Sequence, residues 1–159
     1  MSYRIFLPFI VAQEIVPSLS HADILFDLIR NSLYQRRTSM VRHPLLDLAA
    51  QRKAEDLAKQ EYWGHFPPNG PAPNLNVRLT GYELPDLYKD SGNNVESLAI
   101  GGKKPEAVAL AWLTSVTGHR LHVYGDDLFF REQECIGIGI ATAKDNRIVS
   151  VFYSAPCHE

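Results

Sequence analysis

The sequence predicts an α+β fold, because the pattern of apolar residues changes along the chain. Up to about residue 118, apolar residues recur at helical spacing, and glycines and prolines separate the helical segments. From residue 135 they alternate instead, as in strands with one buried face. Helices followed by a terminal antiparallel hairpin are typical of the α+β class.

The first two helices are predicted from their starting residues. Ser20 and Asp23 form the pattern of a capping box, and the apolar stripe that follows predicts a helix to about Arg37. Pro44 suits the first turn of a second helix, which we expect to end near Tyr62. The alanines of this second helix favour close packing against another element.

The middle of the chain predicts a loop and two more helical segments. The proline-rich stretch 66–73 indicates a loop, followed by a short helix at about 74–79. Glu96 is expected to open a short helical turn. Pro105 begins a helix that we expect to reach Gly118.

Two β-rich segments, 135–142 and 148–153, predict a hairpin with its turn at 144–147. Gly137 and Gly139 leave one face of the first strand without side chains. Another backbone could therefore approach that face closely.

Composition limits the classes of function. A chain of 159 residues with 45% hydrophobic and 21% charged residues is typical of a single globular domain. A net charge of −2 gives no general reason to expect nucleic acid as a partner. We therefore expect an ion, a small molecule or a protein as the partner.

The N-terminal apolar run, residues 5–12, permits two interpretations. With the basic residue Arg4 before it, the run is similar to a secretory signal, but it is too short to span a bilayer and Pro8 interrupts it. We interpret residues 1–19 as an apolar arm that packs on a single domain of residues 20–159. No transmembrane segment is predicted.

Cys135 and Cys157 are the two cysteines of the chain. A disulfide between them would close a short loop across neighbouring strands, which the geometry of such a bond allows. Two unpaired thiols fit the sequence equally well, so it leaves both states open.

Three side chains that can bind metal lie beside glycines or turn residues: His65 follows Gly64, His119 follows Gly118, and Glu96 follows two asparagines. Imidazole and carboxylate groups suit zinc and related divalent ions. Three protein ligands with an open position are typical of a reactive metal site. The three residues are far apart in sequence, so they form no local metal-binding motif.

The order of these segments resembles the CAP superfamily, which comprises cysteine-rich secretory, antigen 5 and pathogenesis-related 1 proteins, in its bacterial form. The resemblance covers about residues 24–155, and the ordered set of short segments carries it rather than any single one. These segments include Gly64-His65, Asn69-Gly70, Val95-Glu96-Ser97-Leu98-Ala99, Trp112-Leu113-Thr114-Ser115, Gly118-His119-Arg120 and Ile136-Gly137-Ile138-Gly139.

The resemblance implies a three-layer α-β-α sandwich with a small central antiparallel sheet, in an exported protein of the extracellular space or cell envelope. In this superfamily two histidines and two acidic residues line a central cavity, and His65, His119 and Glu96 match three of them. The position of the second acidic residue holds Ser115, so the acidic pair is incomplete. His122, where the bacterial pattern usually has asparagine, is a candidate third imidazole or a solvent-facing residue.

Hydrolysis is the alternative function. Ser115 lies four residues before His119, so the two side chains would meet if this segment were helical. Peptidase activity has been proposed for some members of the superfamily. The sequence lacks a Gly-x-Ser-x-Gly elbow, a clear oxyanion loop and a third catalytic member, so a binding module is favoured over an enzyme. If there is catalysis, Glu96, Ser115 and His119 are its candidates.

Aromatic residues beside His65 are candidates for a second kind of contact. Tyr62, Trp63 and Phe66 flank the proline-rich loop and are expected to line a wall for a small apolar ligand, whereas Trp112 is expected in the core. The expectation is thus an exported protein whose cleft binds a divalent ion, with zinc as the best candidate by ligand chemistry, through His65 and His119. Glu96 is expected to be a ligand, a group that orients one of the imidazoles, or a base. A surface that recruits a partner protein is a further possibility.

Overall fold

A four-stranded sheet forms the middle layer of the computed structural model, which describes residues 19–60 and 62–158. The strands are β1 (Val41–Arg42), β2 (Glu96–Ile100), β3 (Cys135–Thr142) and β4 (Ile148–Ala155), in the order β1-β3-β4-β2. β4 pairs antiparallel with both β2 and β3, whereas β1 runs parallel to β3. The sheet is therefore mixed, and not wholly antiparallel as the family resemblance implied. The sequence does not predict β1, because a strand of two residues shows no periodicity.

In the described part of the chain, six helices surround the sheet: α1 (His21–Arg30), α2 (Pro44–Gln60), α3 (Pro73–Arg78), α4 (Pro105–Leu113), α5 (His119–Val123) and α6 (Leu128–Arg131). Leu46 and Ala50 of α2 pack with Val151 on one face of the sheet. On the other face, α1 and α4 pack against Ile138 and Phe152. The chain therefore has the predicted α+β fold with three layers, and Trp112 lies in the core as expected.

The predicted close approach at the two glycines of β3 is confirmed. A Cβ atom at Gly137 would lie 2.2 Å from the carbonyl of Leu46, and one at Gly139 would lie 2.2 Å from the carbonyl of Ala50. The backbones of α2 and β3 are thus in direct contact. No side chain larger than a hydrogen atom fits between them.

Side chains of α2 also bond to the backbone of β3 where β1 has already ended. Asp47 Oδ1 accepts from the Ile138 N–H at 2.9 Å. Gln51 Oε1 accepts from the Ile140 N–H at 3.0 Å, and its Nε2 donates to the Ile140 carbonyl at 3.1 Å. α2 therefore takes the place of a neighbouring strand along this edge of the sheet. At the other edge, Trp112 Nε1 donates to the Leu98 carbonyl of β2 at 3.1 Å.

Three predicted boundaries were wrong. α1 ends at Arg30 rather than near Arg37, because the following segment turns the Arg37 side chain into the core. Glu96 begins strand β2 rather than a helical turn. α4 ends at Leu113 and not at Gly118.

Cys135 and Cys157 form a disulfide, which settles the alternative that the sequence left open. It joins the start of β3 to the segment after β4. Residues 1–18 of the predicted N-terminal arm lie outside the described residues. Within the described residues, no helix has both the length and the apolar character needed to cross a bilayer.

Replacing Gly137 with alanine is expected to reduce the free energy of unfolding by about 3 kcal/mol, because the new methyl group would overlap the α2 backbone. Denaturant unfolding followed by circular dichroism measures the loss. The matched control is Gly64→Ala, where no atom lies within 4 Å of the added Cβ and a change within about 0.5 kcal/mol is expected. Equal stability of the two variants would contradict the proposed contact.

Candidate functional site

His65 and Glu96 form the central pair of the site. Glu96 is the first residue of β2, and its side chain is fully buried, whereas the His65 side chain is 34% exposed. His65 Nδ1 lies 2.8 Å from Glu96 Oε1. A carboxylate at this position accepts the Nδ1–H of a neutral imidazole, so Nε2 keeps its lone pair for another partner.

The second oxygen of Glu96 is held by a buried tyrosine. Tyr153, its neighbour on β4, donates its hydroxyl to Glu96 Oε2 at 2.7 Å. Burial, with the nearby charge of Glu96, raises the pKa of Tyr153 well above its usual value, so the phenol keeps its proton and remains a donor. Asn76 Nδ2 donates to the same hydroxyl at 2.9 Å and to the Ala49 carbonyl at 3.1 Å. Both oxygens of Glu96 are therefore occupied.

His119 is the first residue of α5 and follows Gly118, whose φ of 104° lies in the left-handed region that favours glycine. Its Nδ1 lies 3.3 Å from Ser115 Oγ. Burial lowers the pKa of His119, and its proximity to the His65 ring lowers it further. The imidazole is therefore neutral at pH 7, the form that binds metal ions.

Ser115 reaches His119 by a different route from the predicted one. It lies in the link between α4 and α5, so a turn rather than helical spacing brings the two side chains together. Ser115 Oγ also accepts from the Thr117 N–H at 3.2 Å and lies 3.1 Å from the Thr117 hydroxyl.

His122 lies apart from these residues, inside the core. Its Nδ1 lies 2.7 Å from Ser97 Oγ, and its Nε2 lies 2.8 Å from Ser154 Oγ. With both ring nitrogens engaged, His122 has no lone pair left for a metal ion. It therefore contributes to the buried polar interior rather than to the site of His65 and His119, and it does not face solvent.

Arg37 completes this interior. It is 6% exposed, and its guanidinium donates to the carbonyls of His122, Val123 and Gln133 at 2.7, 2.8 and 2.7 Å. Burial lowers the pKa of Arg37 to about 10, which leaves it charged at neutral pH.

The predicted aromatic wall is only partly exposed. The Tyr62 hydroxyl donates to Asp56 Oδ2 at 2.7 Å and accepts from Lys53 Nζ at 3.0 Å, so its polar end is engaged by the protein. Trp63 is 39% exposed, with the Arg147 guanidinium 4.4 Å from its ring centroid. Phe66 is 57% exposed. Of the three predicted wall residues, Trp63 and Phe66 are thus the ones with exposed rings.

The donor set of the site meets only part of the usual requirements of a metal ion. Among the described residues, no three histidine, cysteine or acidic side chains lie close enough together to hold one ion. The candidate donors that remain are the imidazoles of His65 and His119, with Glu96 behind the first. This set suits a divalent ion that keeps water at its remaining positions.

Sequence reasoning missed three residues of the site: Lys53, Asn76 and Tyr153. Lys53 and Asn76 look like ordinary exposed helix residues in the sequence. The sequence places Tyr153 only in a β-rich segment, since its contact with Glu96 depends on the register of β2 against β4. Lys53 and Asn76 are polar residues at buried helix positions. Their burial could be recognised only from the placement of α2 and α3 in the fold.

The buried His122 predicts a pH dependence of stability. Burial, and next the charge of Arg37, hold its pKa well below the usual 6.5, so below pH 6.5 the unfolded chain binds a proton that the folded chain does not. The free energy of unfolding is therefore highest above pH 6.5. It is expected to fall by up to about 1.4 kcal/mol per pH unit below it.

Denaturant unfolding between pH 7.5 and 5.5 measures this slope. His122→Gln should flatten it, even though the variant is less stable at every pH. His21→Gln, at the exposed start of α1, is the matched control and should keep the slope. Identical slopes for wild type and His122→Gln would contradict the assignment.

The chain was compared with known proteins. No protein-family model matches it, and no curated protein matches its sequence. An outer surface protein from Borrelia burgdorferi is similar in structure, with a TM-score of 0.62 and 21% identity over 87% of this chain and 93% of the other.

An extracellular protein containing an SCP domain, from Bacillus anthracis, is also similar, with a TM-score of 0.56 and 17% identity. That match covers 84% of this chain and 40% of the larger protein. SCP is another name for the domain of the CAP superfamily. Identities this low establish the fold alone, and the fold of this chain is that of the bacterial SCP domain, as its sequence motifs predicted.

Proposed function

We propose that this chain is an exported binding protein whose cleft holds a divalent metal ion, with zinc as the best-fitting candidate, through His65 and His119. The observation that carries the proposal is the 2.8 Å contact between His65 Nδ1 and the buried Glu96 carboxylate. A carboxylate behind a histidine fixes its tautomer and raises the basicity of the other nitrogen, as in many metal sites. Glu96 is thus a positioning residue rather than a direct ligand.

Two further observations support the proposal. His119 is neutral at pH 7 because burial lowers its pKa, so it needs to lose no proton before binding a cation. A bound divalent ion would supply positive charge and open coordination positions for a small ligand or a partner's side chain. The exposed rings of Trp63 and Phe66 lie on the same segment as His65, where they can contact such a partner.

Export is proposed on separate grounds. The Cys135–Cys157 disulfide is typical of proteins that fold in an oxidising compartment. The two similar structures belong to proteins described as an outer surface protein and as an extracellular protein.

Calorimetric titration of untagged protein with zinc tests the metal site. Wild-type protein is expected to bind, and binding should weaken as the pH falls, because protons compete for the imidazoles. The double variant His65→Ala, His119→Ala should lose binding, whereas the control His21→Ala should keep it. An unchanged titration in the double variant would refute the site.

Glu96→Gln refines the test. It keeps the shape of the side chain but removes the charge behind His65, so zinc affinity is expected to fall about 10- to 100-fold with the fold intact. Unaltered affinity would place Glu96 outside the site. Loss of folding in this variant would make Glu96 a structural residue instead.

Hydrolysis is the second candidate, favoured by the 3.3 Å distance between Ser115 Oγ and His119 Nδ1. A serine nucleophile needs a base that a third group orients, but both oxygens of Glu96 are engaged by His65 and Tyr153. Ser115 also bonds to Thr117, which competes for its hydroxyl.

We therefore expect no robust cleavage of casein or of a peptide library by purified, protease-free protein. Ser115→Ala and Thr114→Ala form a matched pair, because the Thr114 hydroxyl lies next to Ser115 in sequence but bonds to the Leu110 carbonyl. Cleavage that is lost in Ser115→Ala and kept in Thr114→Ala would establish the hydrolase instead.

A further inference from the structure

The segment that carries His65 has little support of its own. Residues 62–71, here called the His65 loop, form no helix or strand between α2 and α3. In the described part of the chain, no hydrogen bond joins their main chain to another main-chain group. A cavity of about 250 Å³ lies on the inner side of the loop, lined partly by Pro67 and Pro71. Packing alone therefore does not determine where the main chain of His65 lies.

Lys53 of α2 supplies the missing bonds. Its side chain points inward and the residue is 5% exposed. The ammonium group donates to the Tyr62 hydroxyl at 3.0 Å, to the Gly64 carbonyl at 3.0 Å and to the His65 carbonyl at 2.8 Å. An ammonium has three N–H donors, so all of them are used on the His65 loop. Among the described residues, the two bonds to the Gly64 and His65 carbonyls are the hydrogen bonds that reach the main chain of the loop.

The charge of Lys53 fits this task. Burial lowers the pKa of Lys53, while the nearby charges of Glu96 and Asp56 act in the opposite direction and favour the ammonium form. Hydrogen bonds from a charged donor are roughly twice as strong as neutral ones, so three of them hold the loop firmly. Arg52 and Lys59 on the same helix are exposed, so the inward position of Lys53 is specific to that residue.

We infer that Lys53 is a positioning residue for His65. It fixes the main chain of the His65 loop, while Glu96 fixes the imidazole ring, and the two together direct Nε2 of His65 into the cleft. The inference rests on the proposed function only where zinc affinity is the measured quantity.

Nitrogen NMR of the histidine rings, in zinc-free protein, tests the inference directly. In wild-type protein His65 should show one tautomer, with Nδ1 protonated. Lys53→Met should give averaged tautomers for His65 and about tenfold weaker zinc binding. The matched control Lys59→Met removes an exposed lysine from the same helix and should match wild type in both measurements. A general loss of stability would lower the unfolding midpoint without changing the tautomer of the folded protein.

Unchanged His65 ring signals in folded Lys53→Met would overturn the inference, whatever the zinc affinity. If that variant does not fold, Lys53→Gln retains two N–H donors and should shift the same signals by a smaller amount. In wild-type protein the Lys53 ammonium protons should exchange slowly with water, and rapid exchange would also overturn the inference. A wild-type protein that fails to bind zinc would refute the proposed function but leave the ring-nitrogen comparison intact.

Discussion

The direct contact between the backbones of α2 and β3 is the constraint on which the rest of the structure depends. It exists because Gly137 and Gly139 leave no side chain between the helix and the strand. The contact fixes the height and rotation of α2 above the sheet. The site follows from that placement, because α2 carries the Ala49 carbonyl that binds Asn76 and the Lys53 ammonium that binds the His65 loop. A shift of the helix would displace the supports of both His65 and Glu96.

Two polar clusters inside the protein are separated by a single strand. Consecutive residues of a strand point to opposite faces, so Glu96 faces Tyr153 and His65, whereas Ser97 faces His122. The first cluster reaches the surface through His65, whose side chain is partly exposed. The second is closed and holds its charge on Arg37, which bonds to carbonyls around α5. His119 is the first residue of α5, so the bonds from Arg37 to this helix also support the position of His119.

Much of the fold could be predicted from the sequence, because periodicity and capping are local properties. The capping box at Ser20, the start of α2 at Pro44 and the hairpin of β3 and β4 all depend on residues close together in the chain. The end of α1 and the strand at Glu96 could not be predicted in this way. Both are determined by tertiary contacts: Arg37 is drawn into the core, and β2 pairs with β4.

The residues of the candidate site could also be predicted only in part. The sequence indicates His65, Glu96 and His119 through the order of its short motifs. That order supports the family resemblance although no single motif is specific. The role of Glu96 behind His65, the closed position of His122 and the part played by Lys53 depend on which side chains the fold turns inward. Polar residues on amphipathic helices are ordinarily exposed, so a buried lysine such as Lys53 leaves no mark in the sequence.

The bonds from Asp47 and Gln51 to β3 also affect how this protein behaves among its neighbours. A sheet edge with free N–H and C=O groups is a template on which another chain can add a strand, and this is a common route to aggregation. Here the side chains of α2 occupy those groups on β3, and the Trp112 indole occupies a carbonyl of β2 on the opposite edge. Without these contacts, N–H and C=O groups at both edges of the four-stranded sheet would be free to bond to another chain. The same helix that supports the His65 loop thus protects the β3 edge of the sheet from pairing with a foreign strand.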